Sequence, residues 1–400
     1  MRFFQDPSAP RESPSQEAGA TSARVPARAS GLPLGLALIG RLFGSALAMA
    51  VAASIFLEYA VFRHAYLLAD QSTVAIVYKG AHLEEGHSDP IIVLGQSTAL
   101  AIDARRLQQS MGVYPTVYNY ALPNLGSAEQ YYFVLKKYLE FNRRPALILL
   151  VLPPDAVVNR EAEQLDPYIE EIERQRFRRF FGPAFLLTEV APATRRWSFV
   201  TAAAETALPS ANYRVFIKNS TFAPELDEIS DREYMGLPQA LVQRNRAIID
   251  RLDATNGQLI YYADRVVAWH QVMDALPPAP DATSPVVAQF EQVIRLADAS
   301  GIPTRLVFTP ICCERAAELE RNGTWPLLSA LMHSYEERYP SFRFLDTGFL
   351  AYERSNFGDP IHLNAAGAER FNAALVTRWP AIVSPTTPAK AAERKPFPGQ

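Results

Sequence analysis

The stretch Ile91-Ile92-Val93-Leu94-Gly95-Gln96-Ser97-Thr98 decides the fold. Four consecutive β-branched or Leu residues suit a strand buried on both faces, and the following Ala99 to Leu107 carries apolar residues at helical spacing. Ser97 therefore stands at a strand-to-helix junction. Gly95 permits a tight turn there, and the free N–H groups of a helix start can stabilise negative charge. Two roles fit such a serine: a nucleophile delivered to the carboxyl edge of a sheet, or a helix N-cap.

A second block lies far along the chain, Phe357-Gly358-Asp359-Pro360-Ile361-His362-Leu363-Asn364-Ala365-Ala366-Gly367. Its Asp and His are three residues apart. On one loop turn that spacing lets the carboxylate accept from one imidazole nitrogen while the other nitrogen faces a nucleophile. Asn364 reads as the cap of a closing helix that runs through Leu375.

Gly-x-Ser near the start and Asp-x-x-His-Leu-Asn-x-x-Gly near the end together resemble the SGNH (GDSL-like) hydrolase superfamily, over roughly residues 90 to 380. Within it the chain most resembles the membrane-anchored branch involved in cell-envelope O-acetylation. The resemblance implies that Ser97 is the nucleophile and that Asp359 and His362 complete a triad. It also implies an α/β/α sandwich with a parallel sheet, and no metal or other cofactor. Further oxyanion donors of the family come from a Gly and an Asn. The loop Asn119 to Ser127 resembles the block that supplies the glycine, which makes Gly126 the candidate donor with Asn124 beside it; Gly126 reads equally well as an ordinary loop glycine before a helix. Where the family often shows Gly-x-Asn-Asp, this chain has Pro153-Pro154-Asp155 and no Asn. Gln96 stands where many members have Asp.

Four hundred residues that are 48% hydrophobic can hold one large domain or two small ones. A net charge of −3 and a pI near 6.1 give no basic footprint, so nucleic acid is not an expected partner. Cys312 and Cys313 are adjacent and cannot build a disulfide framework; they read as two small buried side chains or as a vicinal disulfide.

Residues 1–32 are rich in Pro, Ser, Ala and Arg without apolar periodicity and read as a disordered leader. The composition then changes sharply: Leu42 to Phe62 is 21 residues with Glu58 its only charge, close to the roughly 20 that cross a bilayer. Residues 33–63 are accordingly expected to hold a transmembrane anchor, with Glu58 snorkelling and Tyr59 and Phe62 at the interface. Arg2, Arg11, Arg24, Arg28 and Arg41 precede the span, against Arg63 and Lys79 soon after it. That asymmetry puts the N-terminus in the cytoplasm and the bulk of the chain outside, in a bacterial periplasm. A cleaved signal peptide is the rival reading, disfavoured by the long leader and by an apolar run that continues past Ala48 and Ala50.

Residues 64–90 read as a connecting segment. Its His82-Leu83-Glu84-Glu85-Gly86-His87-Ser88-Asp89 is dense in metal-type ligands, but the spacing fits no ligand pattern, and a solvated loop is the better reading. From residue 91 strands and helices alternate. Strands are expected at 91–95, 113–120, 146–152, 304–310 and 342–346, with helices at 128–141, 286–299 and 316–339, which argues a parallel sheet covered on both faces. Residues 160–280 look like a helical insertion within the 91–383 domain. In it Arg176, Arg178 and Arg179 interleave with Phe177, Phe180 and Phe181, a patch for an anionic sugar polymer or a membrane surface, or else an ordinary solvated helix with ion pairs. Leu241 to Val272 continues the helical pattern, and the tail 384–400 is rich in Pro, Ala and Lys.

The expectation is thus an anchored acyl-transfer enzyme acting on envelope or secreted polysaccharide, as O-acetyltransferase or acetylesterase. A multi-span membrane acyltransferase would be the partner of the former, and a non-catalytic scaffold of a polysaccharide export complex is the alternative. The arginine asymmetry has a direct topological outcome. A periplasm-active reporter fused after residue 70 should be active and one fused after residue 30 silent; equal activity at both would remove the anchor.

Overall fold

The computed structural model describes residues 34–110, 116–123, 129–158, 178–195, 197–214, 216–217, 238–274, 280–345 and 350–384. Contacts divide the chain into two units, Met1–Ile55 and Phe56–Gln400. The described part of the first is helix α1 (Leu34–Phe56), exposed from residue 41 onward. Among the described residues one helical stretch, Arg41–Leu68, is long and apolar enough to cross a membrane.

The second unit is a mixed α/β fold on a five-stranded parallel sheet. Its strands are β1 (Ile91–Gly95), β2 (Val117–Asn119), β3 (Leu147–Leu152), β4 (Thr304–Phe308) and β6 (Phe342–Phe344), in the order β2-β1-β3-β4-β6. Register pairs Ile91 with Val117 on one side and with Leu147 on the other; Ile148 then pairs with Thr304, and Thr304 with Phe342. The strands are short and almost wholly apolar because both faces are covered. A smaller parallel pair, β5 (Ile311–Cys312) with β7 (Ala351–Tyr352), was not visible in the sequence pattern.

Alternation along each strand sends neighbours to opposite faces. Ile92, Leu94, Ile148, Leu150 and Leu306 join one core with α4 (Glu129–Phe141), α7 (Pro285–Ala299) and α9 (Thr324–Arg338). Ile91, Val93, Leu149 and Val151 join the other with α3 (Ala104–Gln109) and α10 (Ala365–Val383). The long helix expected over 316–339 is instead two, α8 (Cys313–Arg321) and α9, separated at Gly323 with φ +78°.

Two further departures have plain physical causes. The 64–90 stretch contains a core helix, α2 (Gln71–Glu84), whose Val74, Ala75, Ile76 and Leu83 are fully buried. Asp70 caps it by accepting from the Thr73 amide (3.0 Å) and hydroxyl (2.7 Å). Lys79 on this helix is itself fully buried, which masks the apolar stripe in the sequence; its Nζ donates to the Ala121 carbonyl at 2.8 Å, and burial pulls its pKa well below the usual lysine range. In the insertion, the expected 241–272 helix stops early: α6 (Pro238–Ala254) ends at Asn256 and Gly257, both at positive φ, with the Gly257 amide donating back to Leu252 O at 2.7 Å. Residues 258–268 then run on without helix or strand. Helix α5 (Ser198–Thr206) and the helical turns around it fill the earlier insertion, and no strand is found between β3 and β4 among the described residues.

Gly95 leaves no room for a side chain at the end of β1. A Cβ there would lie 2.4 Å from the Val151 carbonyl oxygen and 2.5 Å from Ala99 Cβ, so the chain leaving β1 can cross the end of β3 only as glycine. Gly95→Ala should therefore cost about 1–3 kcal/mol through forced overpacking. A urea unfolding midpoint equal to that of the native chain would refute this reading of the crossing.

Candidate active site

Ser97 follows β1 directly and opens a 3-10 turn, Ser97–Ala101, that is buried throughout. The single helix expected over 99–107 is thus two pieces. They separate at Asp103, whose carboxylate caps α3 by accepting from the Arg106 amide at 3.0 Å. Asn119 at the end of β2 holds the turn from one side, donating to the carbonyls of Ala99 (2.9 Å) and Ile102 (3.1 Å). Asn372 of α10 holds it from another, donating to Ala101 O at 2.9 Å and accepting from the Asp103 amide at 2.9 Å. Beside Ser97, Gln96 accepts from the buried Tyr131 hydroxyl at 3.4 Å.

Asp359 and His362 are brought together as their spacing predicts. Asp359 Oδ2 meets His362 Nδ1 at 2.6 Å, while Oδ1 accepts from the amides of Ile361 (2.8 Å) and His362 (2.7 Å). Burial pushes the Asp359 carboxyl up, but the His362 imidazole and the two amides outweigh burial and hold it below the ordinary 3.8. The other imidazole nitrogen, Nε2, is buried and has no hydrogen-bond partner among the described residues. Asn364 caps α10 as expected, accepting from the Gly367 amide at 3.1 Å, and its amide nitrogen donates to the carbonyls of Ser355 and Arg265.

What joins the two blocks is the non-helical segment after α6. Leu259 N donates to Leu100 O at 2.9 Å and Gln258 Nε2 to Ala101 O at 2.8 Å, which ties this strap to the Ser97 turn. Ala365 N donates to Ala263 O at 3.0 Å, and a Cβ on Gly358 would strike Tyr262 at 2.5 Å, which ties it to the Asp359–His362 loop. Tyr261 sits between: its ring meets His362 edge-on with centroids 5.4 Å apart, and its hydroxyl bonds Ser72 Oγ of α2 at 2.7 Å. Tyr261, Ser72, Asn119 and Asn372 were not singled out by sequence reasoning. Their only signal is a polar group within an otherwise apolar run, and the partners lie as far apart as 271 residues.

The oxyanion candidates Gly126 and Asn124, and Arg176 of the insertion, lie outside the described residues. Arg178 and Arg179 are buried and turned inward. Arg178 pairs with Glu205, while Arg179 donates to Asn212 O at 2.9 Å and lies over the rings of Tyr213 and Phe216. They pin the insertion's helices and offer no open charged surface. Asp155, just after β3 in the block that lacks the family's Asn, forms a buried ion pair with Arg315 of α8.

Two clusters of metal-type ligands occur among the described residues, His82–Glu85–His87 and Cys312–Cys313–Glu314. In the first, His87 Nε2 meets Glu85 at 2.7 Å while the His82 ring stacks between His87 (4.1 Å) and Tyr118 (3.8 Å). In the second both thiols share the Glu314 carboxylate, and burial with that carboxylate pushes the Cys312 thiol up to about 12. No family model matches the chain, and no curated protein matches it either.

The lowered Asp359 value links this site to stability. A carboxylate held below its unfolded value stabilises the fold above that value, and the contribution disappears as pH falls through the lowered one. Asp359→Asn should therefore lower the urea midpoint at neutral pH, with the gap closing below pH 3.8. A gap that persisted unchanged in acid would mean the Asp359–His362 contact contributes nothing through charge.

Proposed function

We propose that this chain is a membrane-anchored serine acyl-transfer enzyme of SGNH-hydrolase type, facing a bacterial periplasm and acting on cell-envelope or secreted polysaccharide. The observation that carries the proposal is the Asp359–His362 pair, with one nitrogen held by the carboxylate and a buried Nε2 that has no partner among the described residues. Ser97 at the carboxyl end of a parallel strand supports it, since ligands of open α/β sheets bind at that edge. So does the strap that bonds the Ser97 turn and the His362 loop alike.

In this reading Ser97 Oγ attacks an ester carbonyl as His362 Nε2 takes its proton. The tetrahedral oxyanion collapses, the C–O bond to the leaving alcohol breaks, and His362 returns the proton to that oxygen. An acyl-Ser97 remains. A sugar hydroxyl or water, deprotonated by His362, then attacks it and restores the serine. Asp359 fixes the imidazole tautomer throughout. Acyl transfer to a sugar makes an O-acetyltransferase, which requires a donor delivered from the membrane; transfer to water makes an acetylesterase.

The scaffold alternative draws on Asp155. The block Pro153-Pro154-Asp155 lacks the Asn that the resemblance implies as a further oxyanion donor, a contact worth on the order of 100-fold or more in rate, and Asp155 itself is taken up by Arg315. Labelling with a fluorophosphonate separates the two, because a degenerate site leaves Ser97 unlabelled. For the enzyme, Ser97→Ala and His362→Ala should each reduce aryl-acetate hydrolysis by about 10³ or more, Asp359→Asn should retain more, and the Ser97→Ala/His362→Ala double variant should be little worse than either. Native activity in Ser97→Ala would sink the assignment.

A further inference from the structure

Charged side chains on the insertion's described helices engage in ion pairs, some of them part-exposed. Arg178 pairs with Glu205, and Lys136 of α4 with Glu189. What remains outward is a row of apolar side chains with a few polar neighbours. Along α5 and its flanks the exposed positions recur at helical spacing, Trp197, Val200, Ala204 and Leu208, while Phe199, Ala202 and Ala203 face the core. Leu187 is similarly exposed on the preceding helical turn, where Leu186 and Val190 are buried. Trp197 is 82% exposed, an unusual position for the largest apolar side chain.

This surface is fastened to the residues at which the apolar N-terminal stretch ends. The Glu58 carboxylate accepts from the Ser210 amide (2.9 Å) and from its hydroxyl, and the Tyr59 hydroxyl donates to Ala207 O at 3.4 Å. Leu57, Tyr59 and Val61 on the same turn are themselves about half exposed. If residues 42–62 cross a bilayer, Glu58 and Tyr59 lie at its boundary, and Ala207 to Ser210 are bonded at that depth. The apolar face of α5 therefore begins where the membrane begins. Arg195, exposed just before Trp197, matches the pairing of a cation with an aromatic at the headgroup level.

We propose that the outward faces of residues 184–193 and 197–208 seat in the headgroup region of the membrane, as an interfacial helix pair. The occupant is lipid. Such faces bury about 5–10 Å deep, with Trp and Leu below and basic groups level with the phosphates. The inference rests on the membrane span and is independent of the acyl-transfer reading.

The four tryptophans, Trp197, Trp269, Trp325 and Trp379, make the test direct, since none lies in the apolar stretch. The full chain is reconstituted into phosphatidylcholine vesicles whose upper acyl chains carry bromine, and its emission is compared with that in unbrominated vesicles. Bromolipid should quench part of the emission. That quenching should vanish in Trp197→Phe and survive in Trp269→Phe, an exposed tryptophan outside the insertion's apolar face. Quenching unchanged in Trp197→Phe would overturn the proposal. So would a native chain in which aqueous iodide reaches Trp197 and bromolipid does not, or one in which neither does, the last meaning that a second protein copy covers the face. Loss of acetyl-ester activity in any of these variants bears on the enzyme reading alone.

Discussion

The structure depends on how closely the chain leaving β1 passes the end of β3. Without a side chain at Gly95 the backbone turns against the Val151 carbonyl and starts the Ser97 turn at once. Any larger residue would push that turn outward. Asn119, Gln258, Leu259 and Asn372 would then lose the carbonyls they bond. Three elements distant in sequence, β2, the strap after α6 and α10, thus converge on residues 99–103, and each contact presupposes that the crossing is tight. The result is a serine held by backbone geometry rather than by its own hydroxyl.

Much of the architecture was legible because parallel strands buried on both faces write themselves as uninterrupted apolar runs. Ile91 to Leu94, Leu147 to Leu152 and the segment before Phe308 could hardly be anything else. Asp359 and His362 were legible for a different reason: the contact is local, three residues apart, and spacing alone brings it about. Helix α2 was hidden because a fully buried Lys79 and a run of His and Glu give its sequence the look of a solvated connection. The strap after α6 was hidden because its meaning lies wholly in long-range partners; Gln258, Leu259 and Tyr261 read as the tail of a helix until Gly257 is seen at φ +102°. The arginines of the insertion misled in the opposite direction. Basic residues interleaved with phenylalanines suggest an exposed patch, yet Arg178 and Arg179 serve inside, against Glu205, Asn212 and two aromatic rings.

The carboxyl edge of the sheet also carries a charge pair that the apolar strands gave no hint of. Asp155 and Arg315 join the end of β3 to the start of α8, both buried. A buried pair of this kind adds little net stability, but removing one partner leaves an uncompensated charge. It fixes α8 against the Pro153-Pro154 turn, and so sets one wall of the edge at which Ser97 stands.

The strap has a further consequence, for the order in which the molecule forms. The Ser97 turn is complete only when residues 258 and 259 lie against it, 157 positions later for Gln258, and when Asn372 arrives, 269 positions after Asp103. Contacts of such sequence separation form late, since a long loop must close before they reward it. A nascent chain therefore carries Ser97 through most of its synthesis as a residue on an unclosed turn. Until Asn372 is made, the Ser97 turn lacks the contacts that hold Ala101 and Asp103 in place.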